Sequence, residues 1–237
     1  MNRECCIAIP CAQVIEPKVL QSMMALVNYS ATHGINIHYI GITERVMVDQ
    51  ARNCLTDTFL KGPTEYLFWM DSDMTFPPDT LVKLFDVMEK KEAKVTTGVY
   101  YQRKGENMPC IWSRGEQVES GELTGMATKK GLENKYSGSF LVISPDKKEP
   151  FEVHAAGFGC VLVHRSVFEM MDRPWFQFIN NICSEDFYFF VKVHELGFKV
   201  WADPTIDLGH IGDAPVVTKA DFNKKAEKAN IHLEALK

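Results

Sequence analysis

Tyr66-Leu67-Phe68-Trp69-Met70-Asp71-Ser72-Asp73-Met74 is the stretch that decides the fold. A continuous apolar run, opened by a Gly62-Pro63 turn, ends in two acids separated by one serine. Such a run reads as a strand buried on both faces. Strand alternation puts Asp71 and Asp73 on one side. The C-terminal end of a buried strand is where open α/β sheets bind ligands. Hard carboxylate oxygens at that place suit Mg²⁺ or Mn²⁺ carrying a diphosphate. The alternative is that the acids only open the next helix, which Pro77, Pro78 and Asp79 announce; Asp79 is expected to supply that cap.

Outward from this stretch, the first half alternates strand and helix. Cys6 to Pro10 reads as a strand. Pro17 to His33 reads as an amphipathic helix stopped by Gly34, and Ile35 to Ile42 as a second strand. A second helix over Met47 to Lys61 turns Val48, Ala51, Leu55, Thr58 and Phe59 inward. A third runs from Pro78 to Lys91 with Leu81, Leu84, Phe85 and Met88 inward, followed by a strand over Val95 to Tyr101. This order implies a parallel sheet with helical crossovers. Residues 104–150 are rich in Gly, Lys and Glu and read as a β-hairpin excursion at the sheet edge. Gly157-Phe158-Gly159 then leads into the buried strand Cys160 to His164. Glu185 to Leu196 is an aromatic helix ended by Gly197, Lys199 to Ala202 a final strand, and Lys219 to Leu236 a polar helix or tail.

The chain has 237 residues and a formal net charge of −5, with 24% charged and 46% hydrophobic residues. That length accommodates a sizeable core, and the composition is that of a globular domain. The negative charge argues against broad nonspecific nucleic-acid affinity. No apolar stretch approaches the roughly 18 residues needed to span a bilayer, and no polybasic amphipathic helix is evident, so no stable membrane insertion is expected. The N-terminus lacks a signal-peptide core, and a cytoplasmic location is expected. The seven cysteines include no CxxC and are expected to be free thiols.

Several motifs follow one another in a specific order: Asp71-Ser72-Asp73, Gly157-Phe158-Gly159, Ser184-Glu185-Asp186 opening a helix, and Gly209-His210. Arg45 to Asn53, Met74 to Asp79, Thr97 to Tyr100, His164 to Phe168 and Gly197 to Trp201 accompany them. Together they resemble the GT-A fold of glycosyltransferases, close to the family 2-like enzymes and to compact versions from bacteriophage and large-virus genomes. The resemblance covers about residues 5–103 and 153–212. It implies an α/β, Rossmann-like fold with a mostly parallel central sheet flanked by helices and a smaller β-hairpin excursion. It also implies one domain: a nucleotide-sugar half over 5–103, an acceptor and metal half over 104–212, and a C-terminal helix or tail over 213–237. A viral version would work in the host cytoplasm.

The function implied is metal-dependent transfer of a sugar from a nucleoside-diphosphate sugar, with UDP the commonest nucleotide of such enzymes, to an acceptor hydroxyl. Asp73 and His210 would bind the Mn²⁺ or Mg²⁺, and Asp71 would face the ribose or a metal-bound water. Pro10, Arg52, Asp71, Ser72, Gly157 and Gly159 would border the donor. Asp186 would be the general base of an inverting reaction, with Glu185 on an acceptor hydroxyl or backbone. On chemical grounds alone, acids in the first turn of a helix gain from its dipole and tend to stay ionised; their plainer role is a helix start capped by Ser184. Arg52 otherwise fits a solvated helix face or an ion pair with Asp49. Gly157 and Gly159 fit a close backbone approach to the sugar or a tight turn. Tyr100, Tyr101 and Trp175 are either core or stacking surfaces for an acceptor, which could be a glycan, a lipid-linked sugar, a protein or a modified nucleobase.

Two alternatives compete. A sugar nucleotidyltransferase would place a Gly-rich, basic loop after the first strand, and Cys11 to Ile15 has neither feature. A non-catalytic sugar-nucleotide-binding domain would not need Asp73, Asp186 and His210 together.

Overall fold

The computed structural model describes residues 2–11, 14–44, 46–103, 107–114, 140–143, 146–179, 183–212 and 218–228. Arg45, most of the 104–150 excursion and the end of the tail lie outside the described residues. In chain order the elements are β1 (Glu4–Cys11), α1 (Pro17–Thr32), β2 (Asn36–Glu44), α2 (Val48–Lys61), β3 (Tyr66–Met70), β4 (Met74–Thr75), α3 (Thr80–Lys91), β5 (Val95–Gly98) and β6 (Ile111–Arg114). There follow β7 (Phe140–Val142), β8 (Phe151–Val153), β9 (Ala155–Ala156), β10 (Cys160–His164), α4 (Arg165–Met170), α5 (Glu185–Glu195), β11 (Val200–Asp203), β12 (Gly209–His210) and α6 (Lys219–Lys228).

Among the described residues, seven strands form the central sheet in the order β2-β1-β3-β10-β5-β11-β8. β1 pairs in parallel with β2 and β3, and β5 with β11. β10 is antiparallel to both β3 and β5, and β8 antiparallel to β11. The parallel frame expected from the alternating elements is therefore present, with one reversed strand wedged between its third and fourth members. Hydrophobic periodicity carries no strand direction, so a buried run such as Cys160 to His164 reads alike in either sense.

β3 is buried at every residue. Leu67 and Trp69 enter the core on one face, with Phe158, Phe176, Phe189 and Phe190. Tyr66, Phe68 and Met70 enter the core on the other, with residues of α1 and α3 such as Leu26, Leu81 and Phe85. Phe158 makes edge-on or tilted contacts with Trp69, Phe176, Phe189 and Phe190 at 4.9–5.7 Å. Each such pair adds about 0.5–1.5 kcal/mol beyond area burial. Trp175 belongs to this core: it is buried and donates its indole N–H to the Phe168 carbonyl at 2.9 Å.

Local signals differ from expectation at three places. Asp79 occupies the N-cap position of α3 without a side-chain cap; its carboxylate pairs with Lys83 at 2.9 Å instead. Ser184 likewise makes no side-chain cap on α5. In α2, Thr58 is exposed, and Arg52 and Thr56 are buried with Ala51, Leu55 and Phe59. Gly34 and Gly197 stop their helices with φ of +74° and +81°, where a side chain would be strained.

The described part of the excursion is not an extension of the sheet edge. β6 lies between β7 and β9 in a separate three-stranded antiparallel sheet, and Trp112 packs on Phe187 of α5 at 4.8 Å. Helix α6 carries the C-terminal segment back, with Phe222 buried and stacked on Tyr101. All seven cysteines are unpaired, and six of them are buried. No helix among the described residues is long and apolar enough to cross a membrane.

Candidate active site

Chain segments meet beyond the C-terminal ends of the parallel strands because of the sheet's register. β3 ends at Met70, opposite Cys160 at the start of β10. This sets Asp71 against the Gly157–Gly159 turn, and the Asp71 N–H donates to the Gly159 carbonyl at 3.4 Å. β11 ends beside Gly98 of β5. The chain beyond it turns on Asp203, which accepts from the Thr205 N–H at 2.8 Å, and returns as β12. The two-residue ladder of β12 with β4 pairs Gly209 with Thr75 and His210 with Met74. The Ile211 N–H closes on the Asp73 carbonyl at 2.8 Å. His210 is thereby delivered to the acidic turn.

At this turn His210 Nε2 lies 3.6 Å from Asp73 Oδ2, within electrostatic range but too long for a strong hydrogen bond. Its Nδ1 lies 2.7 Å from the Tyr101 carbonyl. A carbonyl only accepts, so Nδ1 carries a proton and Nε2 is the nitrogen left to face Asp73, as a donor to the carboxylate in the cationic ring or as a lone pair for a metal ion in the neutral one. Metal-binding imidazoles are typically fixed by such a second bond. Neighbouring ligands of an octahedral Mg²⁺ are about 3 Å apart, so a small side-chain movement would let both atoms reach one cation. Among the described residues no group of three protein ligands gathers. The pair would thus need oxygen ligands from substrate or water. Partial burial raises the Asp73 carboxyl, and His210 and Arg103 outweigh it, holding the group below its usual range.

Asp71 faces a different partner. Its Oδ1 accepts from Arg52 Nη2 at 3.2 Å, and Arg52 Nε lies 3.4 Å from Glu185 Oε1. Arg52 is 2% exposed and its guanidinium lies 4.9 Å from the Phe158 ring centroid. It is neither a solvated face nor the partner of Asp49. Burial works against its charge, and Asp71, Glu185 and Asp186 more than offset this. Its Nη1 has no hydrogen-bond partner among the described residues. Burial, with repulsion from Asp73 and Asp186, raises Asp71 against the pull of Arg52.

Glu185 and Asp186 open α5. Glu185 is buried, and desolvation together with the adjacent Asp186 charge pushes its carboxyl up despite Arg52. The helix dipole alone suggested an ionised acid; at this residue burial overrides it. Asp186 is only half-buried and contributes a repulsive charge to Asp71 as well. The structure thus separates the two acids: Glu185 is tied into the core through Arg52, and Asp186 lies at the more open position.

Gly157 and Gly159 are buried against Tyr100. A Cβ on Gly157 would fall 1.9 Å from the Tyr100 hydroxyl, and one on Gly159 would lie 3.1 Å from its ring and from Met74. The glycines make room for the tyrosine, a role that composition does not reveal. The Gly159 N–H donates to the Tyr100 hydroxyl oxygen at 3.3 Å, and the Tyr100 ring stands edge-on to His210 at 5.3 Å. Burial first, then Cys110, Asp71 and Asp186, keep the phenol protonated. We expect Gly157→Ala to displace Tyr100 and lower turnover while the protein still folds. Thermal melting and a steady-state assay check this, and unchanged turnover would contradict it.

Pro10, the last residue but one of β1, lies beside Thr43 of β2 and is buried; the structure does not bring it to the acidic turn. Ser72 lies in the turn between Asp71 and Asp73, partly exposed. Sequence reasoning missed Arg103, whose Nη1 lies 2.8 Å from Asp73 Oδ2, and the Tyr101 carbonyl, a backbone group without a residue-type signal.

Comparisons with known proteins agree with this architecture. The crystal structure of A197 from STIV superposes with a TM-score of 0.55 at 19% identity, covering 89% of this chain and 86% of that one. GalNAc-T7, solved with UDP, GalNAc and Mn²⁺, gives a TM-score of 0.53 at 14% identity over 93% of this chain and 47% of that one. At these identities the likeness concerns the fold. No curated protein sequence matches the chain. The model for "Glycosyl transferase family 2" matches residues 25–171, more than half of the chain and including Arg52, the Asp71-Ser72-Asp73 turn and the Gly157–Gly159 turn. A GT-A-like sheet carrying this match identifies the chain as a member of glycosyl transferase family 2, whose activity is transfer of a sugar from a nucleotide-sugar donor to an acceptor.

Proposed function

We propose that this protein is a metal-dependent, inverting glycosyltransferase that uses a UDP-sugar, with Asp73 and His210 as the protein ligands of Mn²⁺ or Mg²⁺ and Asp186 as the general base. The observation that carries this reading is the Asp73–His210 pair at 3.6 Å, with the imidazole oriented by the Tyr101 carbonyl. A carboxylate oxygen and an imidazole nitrogen suit either cation when phosphate and water oxygens complete the set. A cation held there supplies Lewis-acid stabilisation to the leaving diphosphate. UDP and Mn²⁺ are named for GalNAc-T7, which supports the choice of nucleotide and metal.

The chain's own residues would divide the work as follows. Asp71, anchored through one oxygen to Arg52, turns its remaining acceptor capacity to the donor's ribose or a bound water. Ser72 borders the donor, and the buried Pro10, Gly157 and Gly159 lie behind that border. Asp186 accepts the proton of the acceptor hydroxyl as that oxygen attacks the anomeric carbon. The bond from that carbon to the phosphate oxygen breaks, and its electron pair leaves with the nucleoside diphosphate. Glu185 and Arg52 hold the start of α5 against the acidic turn, as positioning residues. Residues 5–103 and 104–212 act as donor and acceptor halves of a single domain.

Ligand binding raises apparent stability by mass action. In a thermal-shift series with Mn²⁺, UDP should therefore raise the melting temperature more than GDP, CMP or dTDP. A larger shift with GDP would overturn the assignment of the nucleotide. Slow Mn²⁺-dependent hydrolysis of a UDP-sugar is expected, and its loss with EDTA checks the metal dependence.

A further inference from the structure

Arg103 is the charged residue at this site to which the chemistry above gives no task. It lies two positions beyond Tyr101, whose carbonyl orients His210. Its Nη1 is 2.8 Å from Asp73 Oδ2, the same oxygen that His210 Nε2 faces at 3.6 Å. The same nitrogen lies 3.4 Å from the Ile211 carbonyl. A Cβ on Gly212 would lie 3.5 Å from the Arg103 Cβ, so the stem of the arginine lies against the segment that follows His210. The guanidinium thus occupies the coordinating oxygen on which a cation would have to bind.

Charge explains why it is there. Asp71, Asp73, Glu185 and Asp186 act on one another at this end of the sheet, and Arg52 is committed to Asp71 and Glu185. Without a second positive charge, Asp73 would face this cluster with His210 alone. The Arg103 side chain is 45% exposed, and an ion pair so open to water is weak and exchanges readily. A guanidinium is also well suited to the oxygens of a phosphate, which it can bind with two parallel hydrogen bonds.

We propose that Arg103 is a built-in counter-ion that holds the Asp73 carboxylate in the free protein and transfers to the donor's diphosphate when a divalent cation takes its place. The proposal rests on the reading of Asp73 and His210 as metal ligands. It adds a consequence which that reading does not contain: Arg103 weakens the binding of the cation alone and strengthens the coupling between cation and nucleotide. The cation alone must displace Arg103 without giving it a new partner. With the diphosphate present, the displaced arginine gains one.

Mn²⁺ binding is measured by calorimetry and by the free-ion spin-resonance signal, with MnCl₂ alone and with UDP, on the parent protein and on Arg103→Gln, Arg103→Lys and Asp73→Asn. Arg103→Gln should bind Mn²⁺ alone about threefold to tenfold more tightly, because an opposing charge and a competing partner are removed. In the presence of Mn²⁺ its affinity for UDP should fall about tenfold, the loss of one charge-assisted contact. Arg103→Lys, which keeps the charge but not the fork, should bind Mn²⁺ alone as weakly as the parent. Circular dichroism and melting confirm that the variants are folded. Unchanged or weaker Mn²⁺ binding by Arg103→Gln, or unchanged UDP affinity, would overturn the counter-ion role. If Asp73→Asn abolishes Mn²⁺ binding in that case, the metal ligands stand and only Arg103 is misassigned. If Asp73→Asn binds Mn²⁺ as the parent does, the metal reading fails and the counter-ion role fails with it.

Discussion

Asp186→Asn should lower turnover by ~10²–10⁴-fold, the usual effect of removing a general base, while donor affinity and melting temperature stay near those of the parent. The structure explains why the two readouts separate. The start of α5 is fastened through its neighbour: Glu185 is buried and tied to Arg52, which holds Asp71 at its other end. Asp186 lies at the more open position and repels both Glu185 and Asp71. Removing its charge relieves that repulsion. Against this, the lost interaction with the helix start costs ~0.3–1 kcal/mol. Steady-state kinetics, nucleotide binding and thermal melting on the same preparation check the expectation. Near-normal turnover with a lowered melting temperature would make the acid merely structural. A product of retained anomeric configuration would reject the base role even if the variant were dead.

Asp73→Asn should abolish Mn²⁺-dependent turnover with little loss of fold. The side chain is 27% exposed, and its partners, Arg103 and His210, both lie against the one oxygen Oδ2. The local backbone is held independently, by the Ile211 N–H on the Asp73 carbonyl and by the β4–β12 ladder. An amide of the same shape leaves those bonds in place, so the stability change should stay at about 1 kcal/mol or less, the scale of a partly exposed ion pair. Neutral oxygen is a poor substitute for a carboxylate on a divalent cation. Turnover titrated against Mn²⁺, with urea unfolding alongside, checks this; full activity at ordinary Mn²⁺ concentration would contradict it.

Much of the frame was legible because burial on two faces leaves a strong residue signal. β3 is apolar throughout and ends in acids, and both features follow from its central place in the sheet. The inward faces of α1 and α3 carry the 3.6-residue period that places Val19, Met23 and Leu26, or Leu81, Leu84, Phe85 and Met88, in the core. Strand direction was not legible, which is why the reversed β10 was not foreseen. Nor was the β4–β12 ladder, since two residues have no period. Yet that ladder brings His210 to Asp73.

Arg52 illustrates a different gap. A charged residue on an amphipathic helix is assigned to solvent by default. The signal against that assignment was present: Arg52, Leu55, Thr56 and Phe59 fall at i, i+3, i+4 and i+7, one face of α2, and all four are buried. Its partners, Asp71 and Glu185, lie 19 and 133 positions away, beyond the reach of any local pattern. Glu185 shows the reverse error. Its place in the first turn of a helix suggested an ionised acid, and the aromatic core around α5 raises its carboxyl instead.

The most direct test of the account is the position of the cation in a complex with UDP and Mn²⁺. Anomalous diffraction at the manganese edge should give one peak within coordination distance of both Asp73 Oδ2 and His210 Nε2, with phosphate oxygens on its far side. A peak away from that pair, or a UDP complex that forms with no manganese, would contradict it.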